Sequence, residues 1–166
     1  MIVLIGPMGS GKTTVGRLVA ERLGTAVRDT DHDVEAAAGR EISEIFVDEG
    51  EAAFRALERA AVAEALATHD GVLALGGGAV LDPETRDLLV GHDVVFLRVG
   101  LSDAVKRVGL GTSRPLLLGN VRGRIKTLLD ERTPVYESVA TLAVETDGRE
   151  PQEIADEIVA ALGARA

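Results

Sequence analysis

Residues 6–13 constrain the fold of this chain more than any other feature of its sequence. They read Gly-Pro-Met-Gly-Ser-Gly-Lys-Thr and match the phosphate-loop pattern G-x-x-x-x-G-K-[ST] at every fixed position. The apolar run at 2–5 predicts a buried strand before the loop, and apolar residues at helical spacing predict a helix over 13–23 after it. Because the motif requires a strand, a loop and a helix in this order, the sequence predicts a site for nucleotide phosphates.

The residue types of the loop suit the chemistry of phosphate binding. Glycines let backbone N–H groups approach an anion without an intervening Cβ, and the next helix directs its unpaired N–H groups and positive dipole end toward the same anion. Lys12 can reach the β- and γ-phosphates, and the hydroxyl of Thr13 can bind Mg²⁺. The residues expected to bind the nucleotide here are Gly9, Ser10, Gly11, Lys12, Thr13 and Thr14.

The composition excludes several classes of protein and site. With 166 residues, 46% of them hydrophobic, the chain is long enough for a core of its own, and we expect residues 1–166 to form a single domain. The absence of cysteine excludes disulfides, thiolate metal sites and a cysteine nucleophile. A net charge of −9 argues against binding to nucleic acid or to a membrane surface, and no apolar run is long enough for a membrane span. We expect a cytoplasmic monomer that binds a small molecule.

Strands and helices are predicted to alternate along the chain. Further strands are predicted over 25–28, 72–75, 94–99 and 141–145, and further helices over 42–47, 51–67, 101–108, 121–139 and 151–162, with one more starting at Asp82-Pro83. Thr30 or Asp31 is expected to cap a helix that ends at Ala38. Residues 110–120 lack periodicity, which predicts a loop or lid. This order predicts an α/β fold of the P-loop NTPase type, a three-layer α/β/α arrangement around a five-stranded parallel sheet.

Ligands of such folds bind at the carboxyl ends of the strands, and two acidic residues follow the second predicted strand. Asp29 and Asp31 are two residues apart in a loop. One carboxylate could hold Mg²⁺, directly or through water, and the other could accept a proton from an attacking hydroxyl. The alternative is that one of them caps the following helix, which does not exclude a catalytic role.

Three consecutive glycines, Gly76, Gly77 and Gly78, end the third predicted strand. Because each glycine costs conformational entropy on folding, three together indicate close approach of the backbone to a ligand. The alternative is a flexible exit from the strand.

The basic residues of this acidic chain are concentrated in one segment. Residues 98–132 hold eight cations and three acids, a balance of +5, which indicates an anionic ligand met locally. Arg55 lies in an apolar helical pattern beside Phe54, and Arg114 lies in the predicted lid, from which it could reach a transferring phosphoryl group. Taken singly, Arg55, Arg114 and Arg132 could each equally be surface residues.

Together these residues resemble the bacterial shikimate kinases over nearly the whole chain. The phosphate loop is common to many kinases, whereas the Glu-Ile-Phe, Gly-Glu and Phe-Arg residues within 44–55, combined with the triple glycine, are much more specific. The similar segments are residues 6–13, 29–31, 42–46, 50–51, 54–55, 75–80 and 114–117, and Arg132 with Pro134 and Tyr136.

The resemblance implies transfer of the γ-phosphoryl group of MgATP to the 3-hydroxyl of shikimate. It implies that Asp31 contacts this hydroxyl as the candidate base and that Asp29 lies on the Mg²⁺ side with Thr13. Lys12 and Arg114 would then stabilise charge on the phosphates, so the implied catalytic residues are Asp31, Lys12 and Arg114.

The same resemblance implies where the substrate and the adenine bind. Arg55 and Arg132 would bind the shikimate carboxylate, and Arg107 and Arg149 would lie near adenine. A substrate-binding segment would lie at about 31–60. The implied substrate-binding residues are Asp31, Phe46, Phe54, Arg55, Gly76, Gly77, Gly78 and Arg132, although Phe46 and Phe54 could equally belong to the core.

Two other functions remain compatible with the phosphate loop. A related kinase, acting on gluconate or a nucleoside monophosphate, would share the loop and the fold but would not need paired arginines beside a triple glycine. A nucleotide-dependent switch would need no acceptor, and Asp31 would then have no proton to accept. The chain also lacks the Asn-Lys-x-Asp run that reads guanine.

Overall fold

The computed structural model describes residues 1–110 and 120–163, with only the backbone at 109 and 110, and a parallel sheet lies at the centre of this part of the chain. The sheet has five strands in the order β2-β3-β1-β4-β5, which confirms the predicted fold class. The strands are β1 (Ile2–Ile5), β2 (Val27–Asp29), β3 (Val72–Ala74), β4 (Asp93–Arg98) and β5 (Leu142–Glu145).

Helices precede and follow these strands in the order that the sequence predicts. They are α1 (Lys12–Arg22), α2 (Thr30–Ala38), α3 (Ile42–Glu49), α4 (Glu51–Thr68), α5 (Pro83–Leu88), α6 (Leu101–Leu110), α7 (Val121–Val139) and α8 (Pro151–Leu162), with a short 3₁₀ turn at Ala79–Leu81. None of the helices within the described ranges has the length and hydrophobicity that a membrane span requires.

The predicted cap of α2 and the predicted start of β2 are both wrong. The helix ending at Ala38 is capped by Asp29, whose Oδ1 accepts a hydrogen bond from the backbone N–H of Asp31 at 2.9 Å, and not by Thr30 or Asp31. The second strand begins at Val27, two residues later than predicted, because only residues 27–29 pair with β3. In contrast, Asp82 caps α5 and Pro83 opens it, as predicted.

The predicted lid at 110–120 lies almost entirely outside the described residues. Leu110 is the last residue of α6, and Asn120 precedes α7. Arg114 therefore also lies outside them.

Apolar side chains on both faces of the sheet hold the layers together. On one face, β1, β3 and β4 pack against α1 and α8 through Leu4, Val19 and Ile158. On the other face, they pack against α4 and α7 through Val3 and Phe96. All four residues of β1 are buried, as expected for a central strand covered on both sides.

The strand order determines which loops lie together. β1 pairs with β3 and β4, although the latter two are distant from it in sequence. Because all strands are parallel, the loop after β1, the start of α2 after β2 and the glycines after β3 lie at the same edge of the sheet.

Candidate active site

A cavity of about 440 Å³ lies at this edge of the sheet. It brings together most of the predicted site residues from five segments, which lie within residues 8–14, 29–31, 42–58 and 75–78 and at Arg132. Its lining consists of Met8, Gly9, Gly11, Lys12, Thr13, Thr14, Asp29, Asp31, Ile42, Phe46, Phe54, Arg55, Glu58, Leu75, Gly76, Gly77, Gly78 and Arg132.

The loop between β1 and α1 has the backbone geometry of an anion site. Gly9 and Gly11 have φ angles of 80° and 92°, in the left-handed region that favours glycine. Gly11 precedes α1 without any side-chain hydrogen bond to the first turn of the helix. The N–H groups at this helix end are therefore available to an anion, and the helix dipole favours negative charge there.

Lys12 lies over the loop that contains it. Its Nζ donates hydrogen bonds to the backbone carbonyl oxygens of Gly6 at 2.6 Å and Pro7 at 2.9 Å. Ser10, which is buried and does not line the cavity, lies under this amine, with its Oγ 3.5 Å from Nζ. Burial lowers the pKa of Lys12 to about 8, against the opposing effect of the nearby Asp31 and Asp29 carboxylates. An incoming phosphate would therefore help to keep this amine charged.

Asp29 and Asp31 face the cavity from the junction of β2 and α2. Asp29 uses one oxygen as the helix cap, so its capping role and a ligand-binding role share one carboxylate. Burial, and then the negative charge of Asp29, raise the pKa of Asp31 above its ordinary value. A carboxylate with a raised pKa is a better proton acceptor, which suits a general base.

Arg55 is held by a partner that the sequence alone did not reveal. Its Nη1 donates a 2.7 Å hydrogen bond to Oε1 of Glu58, three residues later in α4, and Glu58 is only 2% exposed. Burial raises the pKa of Glu58, and the Arg55 guanidinium opposes that rise. The i, i+3 spacing of an acid and a base on an apolar helix face was the signal that could have identified Glu58.

The triple glycine makes room for these side chains. A Cβ on Gly76 would lie 2.6 Å from Oδ1 of Asp31 and 2.9 Å from Oε2 of Glu58, and a Cβ on Gly78 would lie 2.9 Å from Cζ of Arg55. Close approach of this backbone to a ligand stays a prediction, and the groups that lie close to Gly76 and Gly78 are side chains of the cavity wall. Gly77 lies next to Arg132, since a Cβ there would be 3.6 Å from its Nη1.

Two aromatic rings form the apolar side of the cavity. Phe46 on α3 and Phe54 on α4 pack with their ring centroids 4.7 Å apart. Phe54 is buried and belongs to a small core cluster with Val34 and Ile45, whereas Phe46 is 37% exposed. Phe54 thus serves both the core and the cavity. Met8, Ile42 and Leu75 are further lining residues that were not predicted.

The predicted adenine residues do not line the cavity. Arg107 on α6 donates hydrogen bonds to the carbonyl oxygen of Gly9 at 3.1 Å and to the carbonyl oxygen of Thr146 at 3.1 Å, so it contacts the phosphate loop from outside. Arg149 pairs with Glu157 at 2.7 Å.

The residues predicted to hold Mg²⁺ fit that ion. Thr13 and Asp29 both line the cavity and offer hard oxygen ligands. No group of three or more His, Cys, Asp or Glu side chains within the described ranges could hold a metal ion. This arrangement suits Mg²⁺, which usually binds through one or two protein oxygens, several waters and substrate phosphates.

Comparison with known proteins gives a consistent result. The family model described as "SKI: Shikimate kinase" matches residues 8–163. A shikimate kinase of Salinispora arenicola is 64% identical over 162 residues, which cover 98% of this chain and 97% of that protein. The structure of the shikimate kinase of Acinetobacter baumannii in complex with shikimate has a TM-score of 0.91 at 37% identity, covering 99% of this chain and 93% of that one. A gluconokinase from Sinorhizobium meliloti is less similar, with a TM-score of 0.64 at 25% identity, covering 99% and 92%.

Proposed function

Because this chain belongs to the shikimate kinase family, we propose that its cavity transfers the γ-phosphoryl group of MgATP to the 3-hydroxyl of shikimate, giving shikimate 3-phosphate. The chain is an ATP-dependent phosphotransferase that acts on shikimate. The observation that carries the assignment of roles is that one cavity contains the phosphate loop, the Asp31 carboxylate and two arginines. Phosphoryl transfer needs mainly positioning and charge stabilisation, which these groups supply.

The nucleotide is assigned to residues 9–14. Backbone N–H groups of the loop and of the first turn of α1 bind the phosphates, and Lys12 leaves the carbonyl oxygens of Gly6 and Pro7 to contact the β- and γ-phosphates. Thr13 and Asp29 hold Mg²⁺, which neutralises charge on the phosphate oxygens when it is bound. Arg107 and Arg149 are assigned to the side of the adenine, and Arg114 to the phosphates.

Asp31 is assigned to the acceptor hydroxyl. Its raised pKa and its place in the same cavity as Lys12 let it accept the proton of the hydroxyl as the bond to phosphorus forms. Burial around this carboxylate also strengthens its hydrogen bond to that hydroxyl.

Arg55 and Arg132 are assigned to the carboxylate of shikimate. They approach the cavity from α4 and α7, and Glu58 keeps the Arg55 guanidinium oriented. Two arginines can bind a carboxylate with several charge-assisted hydrogen bonds. Residues 76–78 receive the hydroxyl groups of the substrate, and Phe46 and Phe54 flank its ring.

The broader properties assigned to this protein are those of a small metabolic kinase. We assign residues 1–166 to one domain, with an acceptor-binding segment at about 31–60 and a lid at about 110–120. We further assign it to the cytoplasm as a monomer.

A steady-state assay with alternative acceptors tests the function directly. With ATP and Mg²⁺ present, shikimate should support ADP formation, whereas gluconate and nucleoside monophosphates should not. Turnover of another acceptor without turnover of shikimate would refute the assignment. ATP binding with no product from any acceptor would instead indicate a nucleotide-dependent switch.

A further inference from the structure

The buried hydroxyl of Tyr136 has no role in the chemistry assigned above, yet it contacts the backbone of the acceptor site. Tyr136 lies on α7, is 1% exposed, and donates a 2.5 Å hydrogen bond to the carbonyl oxygen of Gly77. Its ring packs against Phe96 of β4, with centroids 5.0 Å apart. A phenol that is fixed by the core is thus directed at the triple glycine.

This hydrogen bond determines the orientation of a whole peptide unit of the backbone. The carbonyl of Gly77 and the N–H of Gly78 belong to one trans peptide unit, so they point in opposite directions. Both flanking residues are glycine, which leaves rotation of the unit with little steric hindrance. A donor on the carbonyl oxygen therefore determines where the N–H points.

The N–H of Gly78 is free to serve a ligand. Within residues 1–110 and 120–163 it has no hydrogen-bond acceptor, although Gly78 is buried and lines the cavity. A buried N–H without a partner costs free energy, so such a group is usually paired with a protein acceptor, an ordered water or a ligand.

Arg132 lies next to Gly77 and next to the Tyr136 phenol. It is one helical turn before Tyr136 in α7, and its Nη1 would lie 3.6 Å from a Cβ on Gly77. Burial raises the pKa of Tyr136, and the nearby Arg132 guanidinium opposes that rise. The phenol oxygen, the peptide unit and the guanidinium therefore form one contiguous group.

We propose that Tyr136 is a positioning residue for the acceptor. Its hydroxyl fixes the peptide unit between Gly77 and Gly78, so that the N–H of Gly78 is presented to the substrate. This inference rests on the proposed function, because the acceptor that it positions is shikimate.

Replacement of the hydroxyl alone tests the proposal. Tyr136→Phe should raise the KM for shikimate roughly 3- to 10-fold, the size of one lost hydrogen bond, while the KM for ATP changes less than about 2-fold. Phe96→Leu is the matched control, since it weakens packing against the ring but keeps the hydroxyl. It should lower the Tm and leave the KM for shikimate within about 2-fold of the wild-type value.

The composition of the chain offers a second measurement that requires no variant. Tyr136 is the only tyrosine and there is no tryptophan, so 3-fluorotyrosine incorporated during growth reports on this residue alone. Addition of shikimate without nucleotide should shift its ¹⁹F resonance, because binding at the Gly78 N–H polarises the peptide whose carbonyl accepts the phenol.

The outcomes separate this inference from the proposed function. No turnover of shikimate by the wild-type enzyme would refute the function. Turnover by the wild type with an unchanged shikimate KM in Tyr136→Phe would refute only the role of Tyr136. Equal increases in both KM values, with a loss of Tm like that of Phe96→Leu, would show a merely structural role and also overturn the proposal. If Tyr136→Phe does not fold, an unshifted ¹⁹F resonance overturns it instead.

Discussion

The two halves of the cavity differ in how they are built. The nucleotide half, residues 6–14, is one continuous segment from the end of β1 into the first turn of α1, and its geometry comes from its own glycines and from the end of one helix. The proposed acceptor half comes from separate segments that the sheet brings together, namely Asp31, Arg55, Glu58, residues 76–78 and Arg132. We therefore expect that a local motif holds the phosphates, whereas the choice of the acceptor should depend on long-range packing.

Because the two halves are built from different segments, we expect a change in the acceptor half to affect turnover and acceptor binding while ATP binding is retained. Four variants or conditions test this separation, in order of decreasing effect.

Asp31→Asn should have the largest effect. Loss of the proton acceptor should lower kcat by ~10²-fold or more, with little change in ATP affinity. Steady-state kinetics and calorimetric titration with ATP measure the two quantities. Asp33→Asn is the control, because Asp33 lies on the same helix but pairs with Arg28 at 2.7 Å and does not line the cavity. Near-normal turnover of Asp31→Asn would remove Asp31 as the base.

Arg132→Ala should raise the KM for shikimate by roughly 10- to 100-fold, since a charge-assisted contact worth roughly 1.5–3 kcal/mol is lost. Initial rates at saturating ATP give this value. Arg124→Ala, an exposed position two turns earlier on α7, should leave the KM unchanged. An unaltered KM in Arg132→Ala would mean that the carboxylate of shikimate binds elsewhere.

Glu58→Gln should raise the same KM by roughly 5- to 10-fold, because Arg55 loses a buried charged partner and with it part of its fixed orientation. Glu51→Gln provides a matched comparison: Glu51 also pairs with Arg55, at 3.7 Å, but is 68% exposed and should contribute almost nothing. Equal effects of the two substitutions on the KM would contradict an orienting role for Glu58.

The smallest effect concerns the nucleotide half. Burial lowers the pKa of Lys12 to about 8, so the free protein loses this proton as the pH rises through that value. Bound phosphates favour the charged amine, and ATP affinity should therefore fall above pH 8, by at most about 10-fold per pH unit. Calorimetry at pH 8.5 in buffers of different ionisation enthalpy should show proton uptake on ATP binding. Lys12→Met should bind ATP more weakly and show no such uptake; uptake that persists in this variant would identify another group.

Features that depend on residues close together in the sequence were predictable from it. The phosphate loop, the buried strands and the Asp82-Pro83 helix start each depend on residues within a few positions of one another. The bounds of α7 and α8 agree with the prediction at both ends, since their apolar patterns and the proline that opens α8 are local signals.

Features that depend on contacts between residues far apart in sequence were not predictable in this way. Glu58 reads as one charge in a long amphipathic helix, and only the packing of α4 against the loop after β3 shows that it is buried beside Gly76. The sequence left open whether Asp29 or Asp31 caps the following helix, and the position at which β2 ends decided for Asp29. The pairing of Arg149 with Glu157 likewise depends on how α8 follows β5.

The sequence by itself determined that this protein binds nucleotide phosphates within a parallel α/β fold, because a glycine loop between a strand and a helix encodes its own geometry. It also supplied the residue types of the acceptor site. Only the tertiary structure decided that Asp31, Arg55, Gly76–Gly78 and Arg132 share one cavity, and that Glu58 contacts Arg55 and Tyr136 contacts Gly77. The physical reason is that these contacts join segments far apart in sequence, and they form only when parallel strands pair side by side and bury both faces of the sheet.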